Sequence, residues 1–374
     1  MAGFLFLATS PVLGQDLLTQ PYILNISIDG GWDPTMVFDP KTGVPTVAGE
    51  AAATTRVSSS GITHVSHPDR PAVDTFFDNF GASCAIVNGL STRSLNNKEP
   101  FERVYSSIVA SNSVQADWLS FYALITGAGL PYPMISMDQP TLSASCLNGC
   151  RYIDTNRLDS YLSPVSGASN ITVGLRDLMM NFALSSLQAR TYSIGPNGID
   201  FHKLFAMTDA IAKDAALRTH LKEVHDNIVL DPPDEDFVRN AKIMLDFFRL
   251  GYSKVANIRY GGEGEWDTQS QHFAKANALY QSLFTDLNTI FVFARDTAVL
   301  PNLLVTLTSN LGRSPQLNAA GGKDRWQFTS SLLCGNGIAG ATVVGATDDY
   351  LRGIPLNPLF GTADGTNDVT LNFK

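Results

Sequence analysis

YILNISIDGG (residues 22–31) is a run of β-branched and aromatic residues that ends abruptly at Asp-Gly-Gly. Such a run predicts a buried β-strand, and Asp-Gly-Gly predicts a tight turn directly after it. Three shorter apolar runs have the same character, at residues 85–87, 255–258 and 303–307. The chain is therefore expected to contain several short, buried strands.

Between the last two of these runs, apolar residues recur at spacings of three and four, which predicts a long helix with one buried face. These residues are Phe273, Ala276, Tyr280, Phe284, Leu287 and Phe291. Residues 201–225 and 237–250 predict two more helices by the same test. Strands that alternate with helices indicate an α/β fold, a three-layer α/β/α sandwich with a mostly parallel central sheet. Ligands of such sheets bind at the carboxyl ends of the strands.

Composition limits the classes of partner. The 374 residues are 44% hydrophobic and 16% charged, enough to bury a large core. The net charge of −9, without a basic cluster, argues against nucleic acid as a partner. No apolar run approaches the roughly 18 residues that span a bilayer, so no membrane-spanning segment is expected.

The N-terminal residues 3–13 form an apolar stretch that ends in small residues, like the back half of a signal peptide. The basic front of such a signal is missing, which indicates a late start of the numbering. We expect residues 1–14 to be a signal-peptide remnant, the mature protein to begin near Gln15, and the protein to be exported. A buried first strand or helix is the weaker alternative, because Pro11 and Gly14 interrupt the stretch.

Residues 15–374 are expected to form a single domain with an irregular, proline-rich insertion at about residues 130–170. Residues 42–66 are polar, which predicts a loop on the protein surface.

Cysteine usage fits export. Cys146 and Cys150 flank a turn-prone Leu-Asn-Gly, which predicts a local disulfide in an oxidising compartment. A metal pair and two unrelated thiols are the alternatives, although no histidine flanks them to complete a zinc site. Cys84 and Cys334 lie beside apolar runs and are expected to be small core residues.

Five strings of residues mostly follow directly after the predicted strands. They are IDGGWDPTMVFDPKTG (28–43), GEGEWDTQ (262–269), TSNLGRSPQLN (308–318), GGKDRW (321–326) and GNGIAGATVVGATDD (335–349). In this order they resemble a bacterial exported family, domain-of-unknown-function family 1501, of the alkaline phosphatase and sulfatase superfamily. The resemblance implies an alkaline phosphatase-like fold, export by the twin-arginine route, and a site that holds divalent metals and attacks phosphate or sulfate esters.

Several metal-ligand positions differ from that family. It usually reads Phe-Asp-Thr-His, Ser-Glu-Phe-Gly-Arg-Thr and Gly-Arg-Asp-His-Trp, and this chain has Gln269, Asn310 and Arg325 in place of the first His, the Glu and the second His. Glutamine is a poor ligand for zinc or manganese, and arginine cannot ligate because it stays protonated. The resemblance therefore implies a metal pocket that has lost ligands.

A metal could still be held if other residues replace them. The set implied for an active site is Asp29, Asp33, Asp267, His272 and Asp324. Asp29 follows the first strand, and His272 could reach in from one helical turn away. The alternatives are ordinary turn chemistry for Asp-Gly-Gly and Asp-Pro, and a solvent-exposed histidine at a helix start.

The wider set of pocket candidates is Asp29, Asp33, Asp39, Asp267, Gln269, Asn310, Arg313, Asp324 and Arg325. Arg325 is expected to pair with Asp324 or Asp267 and to replace the metal's positive charge. Arg313 would either bind an anion bidentately or brace the loop. His64 and His67 would be solvated, or would form a surface metal pair with Asp69.

The preferred hypothesis is a degenerate hydrolase without a cofactor, acting as a binding or assembly component of the bacterial cell envelope. Its expected partner is an envelope protein or a second copy of the chain. The alternative is an active hydrolase of phosphate or sulfate esters that depends on zinc or manganese.

Overall fold

The computed structural model describes residues 20–96, 98–106, 117–127, 129–137, 150–153, 219–220, 223, 236–357 and 370–371. The chain divides into two compact units, residues 1–152 with 234–374, and residues 153–233. Of the second unit only residues 153, 219, 220 and 223 are described. The predicted boundaries of a signal remnant and a single domain stay predictions.

The strands are β1 (Tyr22–Ile28), β2 (Thr54–Val57), β3 (Thr63–Ser66), β4 (Cys84–Ser91), β5 (Met134–Met137), β6 (Cys150–Ile153), β7 (Val255–Tyr260), β8 (Leu303–Ser309), β9 (Gly312–Leu317), β10 (Lys323–Trp326), β11 (Phe328–Gly335) and β12 (Thr342–Val344). The central sheet has the order β12-β4-β11-β8-β1-β7-β5-β6, and β2-β3 and β9-β10 form separate hairpins. β1 pairs in parallel with β7 and β8, as β5 does with β7 and β12 with β4. β11 runs antiparallel to β4 and β8. The sheet is therefore mostly parallel.

The helices are α1 (Pro71–Phe80), α2 (Lys98–Ser106), α3 (Trp118–Thr126), α4 (Asp236–Arg249) and α5 (His272–Asp296). Alternate residues of β1 point to opposite faces of the sheet. Ile23 packs in a cluster with residues of α2 and α3, whereas Tyr22 stacks on Phe248 of α4 with ring centroids 5.0 Å apart. Helices thus cover both faces, and the predicted three-layer α/β/α class is confirmed.

The predicted apolar stripe of α5 is the contact surface of that helix. Phe76 of α1 lies edge-on to Phe284 and Phe291, with ring centroids 5.3 and 5.2 Å apart. All three rings are fully buried. Since full burial of a Phe side chain contributes roughly 1.5–3 kcal/mol, this cluster holds α5 against α1.

The polar segment at residues 42–66, predicted as a surface loop, contains regular secondary structure. It contains the β2-β3 hairpin, and His64 is fully buried with its Nε2 2.7 Å from Asp74 Oδ1. His67 is also buried. Its Nδ1 lies 3.8 Å from Asp69 Oδ2, and its Nε2 lies 3.7 Å from Glu50 Oε1. The expectation of solvated histidines is wrong, because α1 supplies a carboxylate that composition alone does not place there.

Cys84 and Cys334 are buried as expected, but they are not independent core residues. They lie opposite each other on β4 and β11, with Cα atoms 4.0 Å apart, and form a disulfide. The sequence did not show this, because the pairing joins residues 250 positions apart. Cys146 lies outside the described residues, so the Cys146–Cys150 disulfide stays a prediction.

Part of the range 130–170, expected to be irregular, supplies strands β5 and β6 at one side of the sheet. Each has only four residues, too few for a periodic pattern to be visible. The predicted helix at 201–225 lies almost entirely outside the described residues. Within the part of the chain that is described, no helix is long and apolar enough to cross a membrane.

Candidate functional site

The parallel strands β1, β7 and β8 end at one edge of the sheet, and the loops that follow them meet there. Gly30 and Gly31 have φ angles of 107° and 96°, which side chains rarely adopt. A Cβ at Gly30 would lie 2.7 Å from the backbone nitrogen of Asp267. Only glycine therefore lets the loop after β1 approach the loop after β7 this closely.

A buried polar cluster, made of Asp33, His272 and Lys323, lies beside these loops. Asp33 Oδ2 is 2.8 Å from His272 Nε2 and 2.7 Å from Lys323 Nζ, and all three side chains are fully buried. Burial raises the pKa of Asp33, but the charges and hydrogen bonds of Lys323 and His272 outweigh it and hold this pKa far below the ordinary value. The carboxylate is therefore ionised and paired.

Further hydrogen bonds fix the orientation of this cluster. Thr268 Oγ1 lies 2.8 Å from His272 Nδ1, so both ring nitrogens of the histidine have partners. Tyr280 donates its hydroxyl to the Asp33 carbonyl at 2.8 Å. Burial, and then the charge of Asp33, raise the pKa of Tyr280 well above its ordinary value, which keeps the hydroxyl a donor.

Asp267 is held by two guanidinium groups. Its Oδ1 is 2.7 Å from Arg313 Nη1, and its Oδ2 is 2.8 Å from Arg325 Nη2. Gln269 Nε2 donates to the same carboxylate at 2.9 and 3.0 Å. Partial burial raises the pKa of Asp267, but the hydrogen bonds from Arg325 and Arg313 outweigh it and lower this pKa below the ordinary value.

Arg313 braces the loops. It is fully buried, and its Nε donates to the Gly31 carbonyl at 2.7 Å. Its Nη2 donates to the carbonyls of Trp266, at 2.6 Å, and of Gly30. All three guanidinium nitrogens thus have protein acceptors, which favours the bracing role over the alternative of an anion-binding arginine.

Asn310 also lies at this edge, donating from Nδ2 to Asp29 Oδ1 at 3.0 Å. Asp324 does not join the group. It is exposed and accepts a hydrogen bond from Asn318 at 2.9 Å, so a pairing of Arg325 with Asp324 is not what the structure shows. Alternation along β10 explains this, because Lys323 and Arg325 share one face of the strand and Asp324 lies on the other.

Asp39 belongs to a different environment. It accepts a hydrogen bond from the Thr347 hydroxyl, and one of its oxygens lies 3.4 Å from Lys41 Nζ. Burial raises its pKa above the ordinary value, against the opposing effect of Lys41. Its contacts therefore connect residues 38–41 to the loop around residue 347 rather than to Asp267.

Sequence reasoning missed Lys323, Thr268 and Tyr280. The two-residue spacing of Lys323 and Arg325 in GGKDRW was the signal that could have found the lysine, because it places both on one face of a strand. Tyr280 was assigned to the core stripe only, although its hydroxyl reaches the loop after β1. Thr268 carried no separate signal.

The residues present do not fit a divalent metal at this edge. Zinc or manganese needs several carboxylates or imidazoles with lone pairs turned toward one point. Asp267 is bound by two guanidinium groups, and Asp33 by an ammonium and an imidazole. Throughout the described ranges, no group of three or more His, Cys, Asp or Glu residues is placed to hold a metal ion.

No protein-family model matches the chain, and no curated protein matches it. Among solved structures it is similar to the lipoteichoic acid synthase LtaP from Listeria monocytogenes, with a TM-score of 0.43 and 10% identity over 95% of this chain and 74% of the other. A protein in the alkaline phosphatase superfamily from Vibrio parahaemolyticus gives a TM-score of 0.41 and 10% identity, over 96% and 74%. The PsFucS1 sulfatase from Pseudoalteromonas sp. gives 0.38 and 10%, over 88% and 65%. Likenesses this distant carry no conclusion about the activity of this chain.

Proposed function

We propose that this chain is an exported, non-catalytic relative of metal-dependent ester hydrolases that acts as a binding or assembly component of the bacterial cell envelope. The observation that carries the proposal is the contact of Arg325 with Asp267. Arg325 stands where the resembling family has a histidine, and its guanidinium supplies Asp267 with the positive charge that a bound metal would supply.

Electrostatics make metal and guanidinium compete for this carboxylate. Two like unit charges 4 Å apart repel by about 4 kcal/mol at an effective dielectric constant of about 20, and a dication doubles that figure. The remaining Asp267 contacts, from Arg313 and Gln269, leave the carboxylate fully paired. A stable site with a protein cation in place of the metal is the arrangement that these charges favour.

Two features support export. The apolar residues 3–13 resemble the apolar part of a signal peptide. The Cys84–Cys334 disulfide is buried in the sheet, and structural disulfides persist in oxidising compartments such as the periplasm. An envelope protein or a second copy of the chain is the proposed partner.

The alternative is an active hydrolase of phosphate or sulfate esters. It would need Asp29, Asp33, Asp267 and His272 to release their present partners and turn toward a metal. The position of His272 beside Asp33 is the observation in its favour. Asp324, which is exposed on the opposite face of β10, would have to move as well.

Metal analysis separates the two. Purified protein is incubated with zinc and with manganese, desalted and analysed for bound metal, and hydrolysis of p-nitrophenyl phosphate and p-nitrophenyl sulfate is measured in parallel. We expect less than a tenth of a metal ion per chain and no turnover above buffer. The matched variant Gln269→His/Arg325→His, which restores both imidazoles, should bind more metal than the wild type.

About one metal per chain in the wild type, with turnover that Asp267→Asn abolishes, would replace the proposal by the active hydrolase. Localisation is tested separately by fractionating the native source cells and detecting the endogenous protein with an antibody. Recovery in the cytoplasmic fraction would contradict the envelope role without bearing on the metal question.

A further inference from the structure

The helix α3 is apolar on its exposed side as well as on its buried side. Its sequence, WLSFYALIT, contains no charged residue, and a helix that is apolar all round is normally covered all round. Leu119 and Ala123 are fully buried in the core cluster beside β1. Phe121, Leu124 and Ile125 lie on the opposite side of the helix and are 60%, 59% and 48% exposed. These three side chains are therefore the part of α3 that calls for a cover.

The three exposed side chains form one continuous surface. Residues three and four apart are neighbours on a helix, so Phe121 lies beside both Leu124 and Ile125. Trp118 and Tyr122 extend this surface toward the core cluster, against which both pack while partly buried. We call Phe121, Leu124 and Ile125 the α3 patch. Large apolar side chains that are exposed next to one another, unlike scattered ones, mark an interaction surface.

The N-terminal part of the chain meets α3 at the border of this patch. Tyr122 lies three residues before Ile125, and its hydroxyl donates to the Pro21 carbonyl at 2.7 Å. Pro21 directly precedes β1, whose Ile23 packs in the same core cluster as α3. Whatever lies before Pro21 in the chain is therefore attached to the fold next to the α3 patch.

The residues that precede this point have the composition that the patch requires. Residues 3–13, GFLFLATSPVL, contain no charged residue. The six residues 14–19 join them to the described part of the chain, and in an extended conformation they span about 20 Å. The nine residues of α3 form a helix about 14 Å long, so the whole patch is within reach of residues 3–13.

The size of the patch favours a short segment over a second copy of the chain. A stable protein–protein interface buries about 800 Å² on each partner. Even a fully buried aromatic side chain contributes only about 150–250 Å², and the three side chains of the patch are already partly buried. A segment that is tethered beside the patch needs less area to stay in place, because its effective concentration there is high.

We propose that residues 3–13 pack on the α3 patch while they are attached to the chain. This inference goes beyond the proposed function, because it concerns the chain before the cleavage expected near Gln15. Removal of the segment by that cleavage would uncover the patch.

The test is hydroxyl-radical footprinting with mass spectrometry, which measures the solvent exposure of individual side chains. It is carried out on the full chain, whose intact mass shows that residues 1–14 are still present. In the wild type we expect Phe121 and Leu124 to be oxidised slowly, because the segment covers them. Phe4→Ser/Phe6→Ser should raise their oxidation rate about tenfold, although neither substitution lies in α3, because it weakens the docking of the segment.

The reciprocal variant removes the patch and leaves the segment unchanged. Phe121→Ser/Leu124→Ser replaces exposed side chains and should leave the melting temperature nearly unchanged. Residues 4–7 should then be oxidised about tenfold faster than in the wild type. Val57→Ser/Val343→Ser is the matched control, because these side chains are 62% and 41% exposed and lie on β2 and β12. It should leave the oxidation of both the segment and the patch as in the wild type.

Rapid oxidation of Phe121 and Leu124 in the wild type would overturn the proposal, as would slow oxidation that Phe4→Ser/Phe6→Ser leaves unchanged. Protection of the patch that is lost on dilution would assign a second copy of the chain as the cover. Protection that appears only with phospholipid vesicles would assign a membrane surface instead, and either result would replace the proposal. Metal content at the Asp267 site does not enter these measurements, so this proposal and the proposed function fail independently.

Discussion

Arg325 Nη2 lies 2.8 Å from Asp267 Oδ2 and links the β9-β10 hairpin to the loop that follows β7. The side chain of Arg325 is 30% exposed and that of Asp267 is 20% exposed. Arg313, which binds the other oxygen of the same carboxylate, is fully buried. The two arginines therefore have different roles. Arg313 is a buried brace of the fold, and Arg325 neutralises charge at the solvent-facing side of the site.

Arg325→Ala should lower the free energy of unfolding by about 1 kcal/mol or less, because a partly exposed ion pair is screened by solvent and salt. Urea unfolding at low and high salt measures this, and the loss should shrink at high salt. Arg295→Ala, which removes an exposed pair with Asp296, is the control and should have no larger effect. A loss above about 3 kcal/mol would mean that Arg325 is buried in solution.

Arg313→Lys should destabilise the protein by about 3–5 kcal/mol, the usual cost of breaking a buried charge pair. Lysine keeps the charge but cannot reach Asp267 and the carbonyls of Gly31 and Trp266 at once. The same substitution at Arg325 is the matched control and should cost much less. Equal losses at the two positions would show that burial does not separate their roles.

Asp33→Asn should also cost about 3–5 kcal/mol, because Lys323 would remain buried without its counter-ion. The double variant Asp33→Asn/Lys323→Met removes both charges and should recover part of that loss. Denaturant unfolding of the two single variants and the double variant gives their coupling energy. Additive losses would contradict a direct ion pair.

The lowered pKa values of Asp33 and Asp267 predict how the free energy of unfolding changes at acid pH. The pKa values of Asp33 and Asp267 lie below the ordinary value in the folded protein, so the unfolded chain binds more protons as the pH falls through about 4. The stabilisation from both carboxylates is therefore complete above about pH 5 and is lost progressively below it. Unfolding free energies between pH 3 and pH 7 should fall less steeply on the acid side for Asp33→Asn than for the wild type. Parallel curves would assign the acid sensitivity to other groups.

Local patterns predicted the layers and the edge of the sheet where the site lies. The strand at residues 22–28 and the buried face of α5 could be predicted from the sequence. Burial on one or both faces requires apolar residues at regular positions within one segment of the chain. The position of Asp29 after β1 follows from the same strand.

Contacts between distant segments were harder to predict. His64 appeared solvated because Asp74 comes from another element, and Asp324 appeared to lie in the site because the motif string does not show which side of β10 faces inward. Lys323 was missed for the same reason. The choice of face and the pairing of strands are tertiary properties, and a single sequence encodes them only weakly.

The Cys84–Cys334 disulfide should be a major source of stability. It closes a segment 250 residues long, for which the chain-entropy relation gives about 5 kcal/mol, although native disulfides typically contribute about 2–4 kcal/mol. Cys84→Ala/Cys334→Ala should lower the melting temperature under non-reducing conditions.

Because both sulfurs are buried, dithiothreitol without denaturant should leave the wild type intact, whereas dithiothreitol in urea should give it the melting behaviour of the double variant. Cys150→Ala leaves the Cys84–Cys334 bond in place and measures the separate contribution of the predicted Cys146–Cys150 bond. Non-reduced peptide mapping of the wild type would show which cysteines are joined. An unchanged melting temperature in Cys84→Ala/Cys334→Ala, or free thiols at both positions in protein taken from its native compartment, would remove the disulfide as support for export.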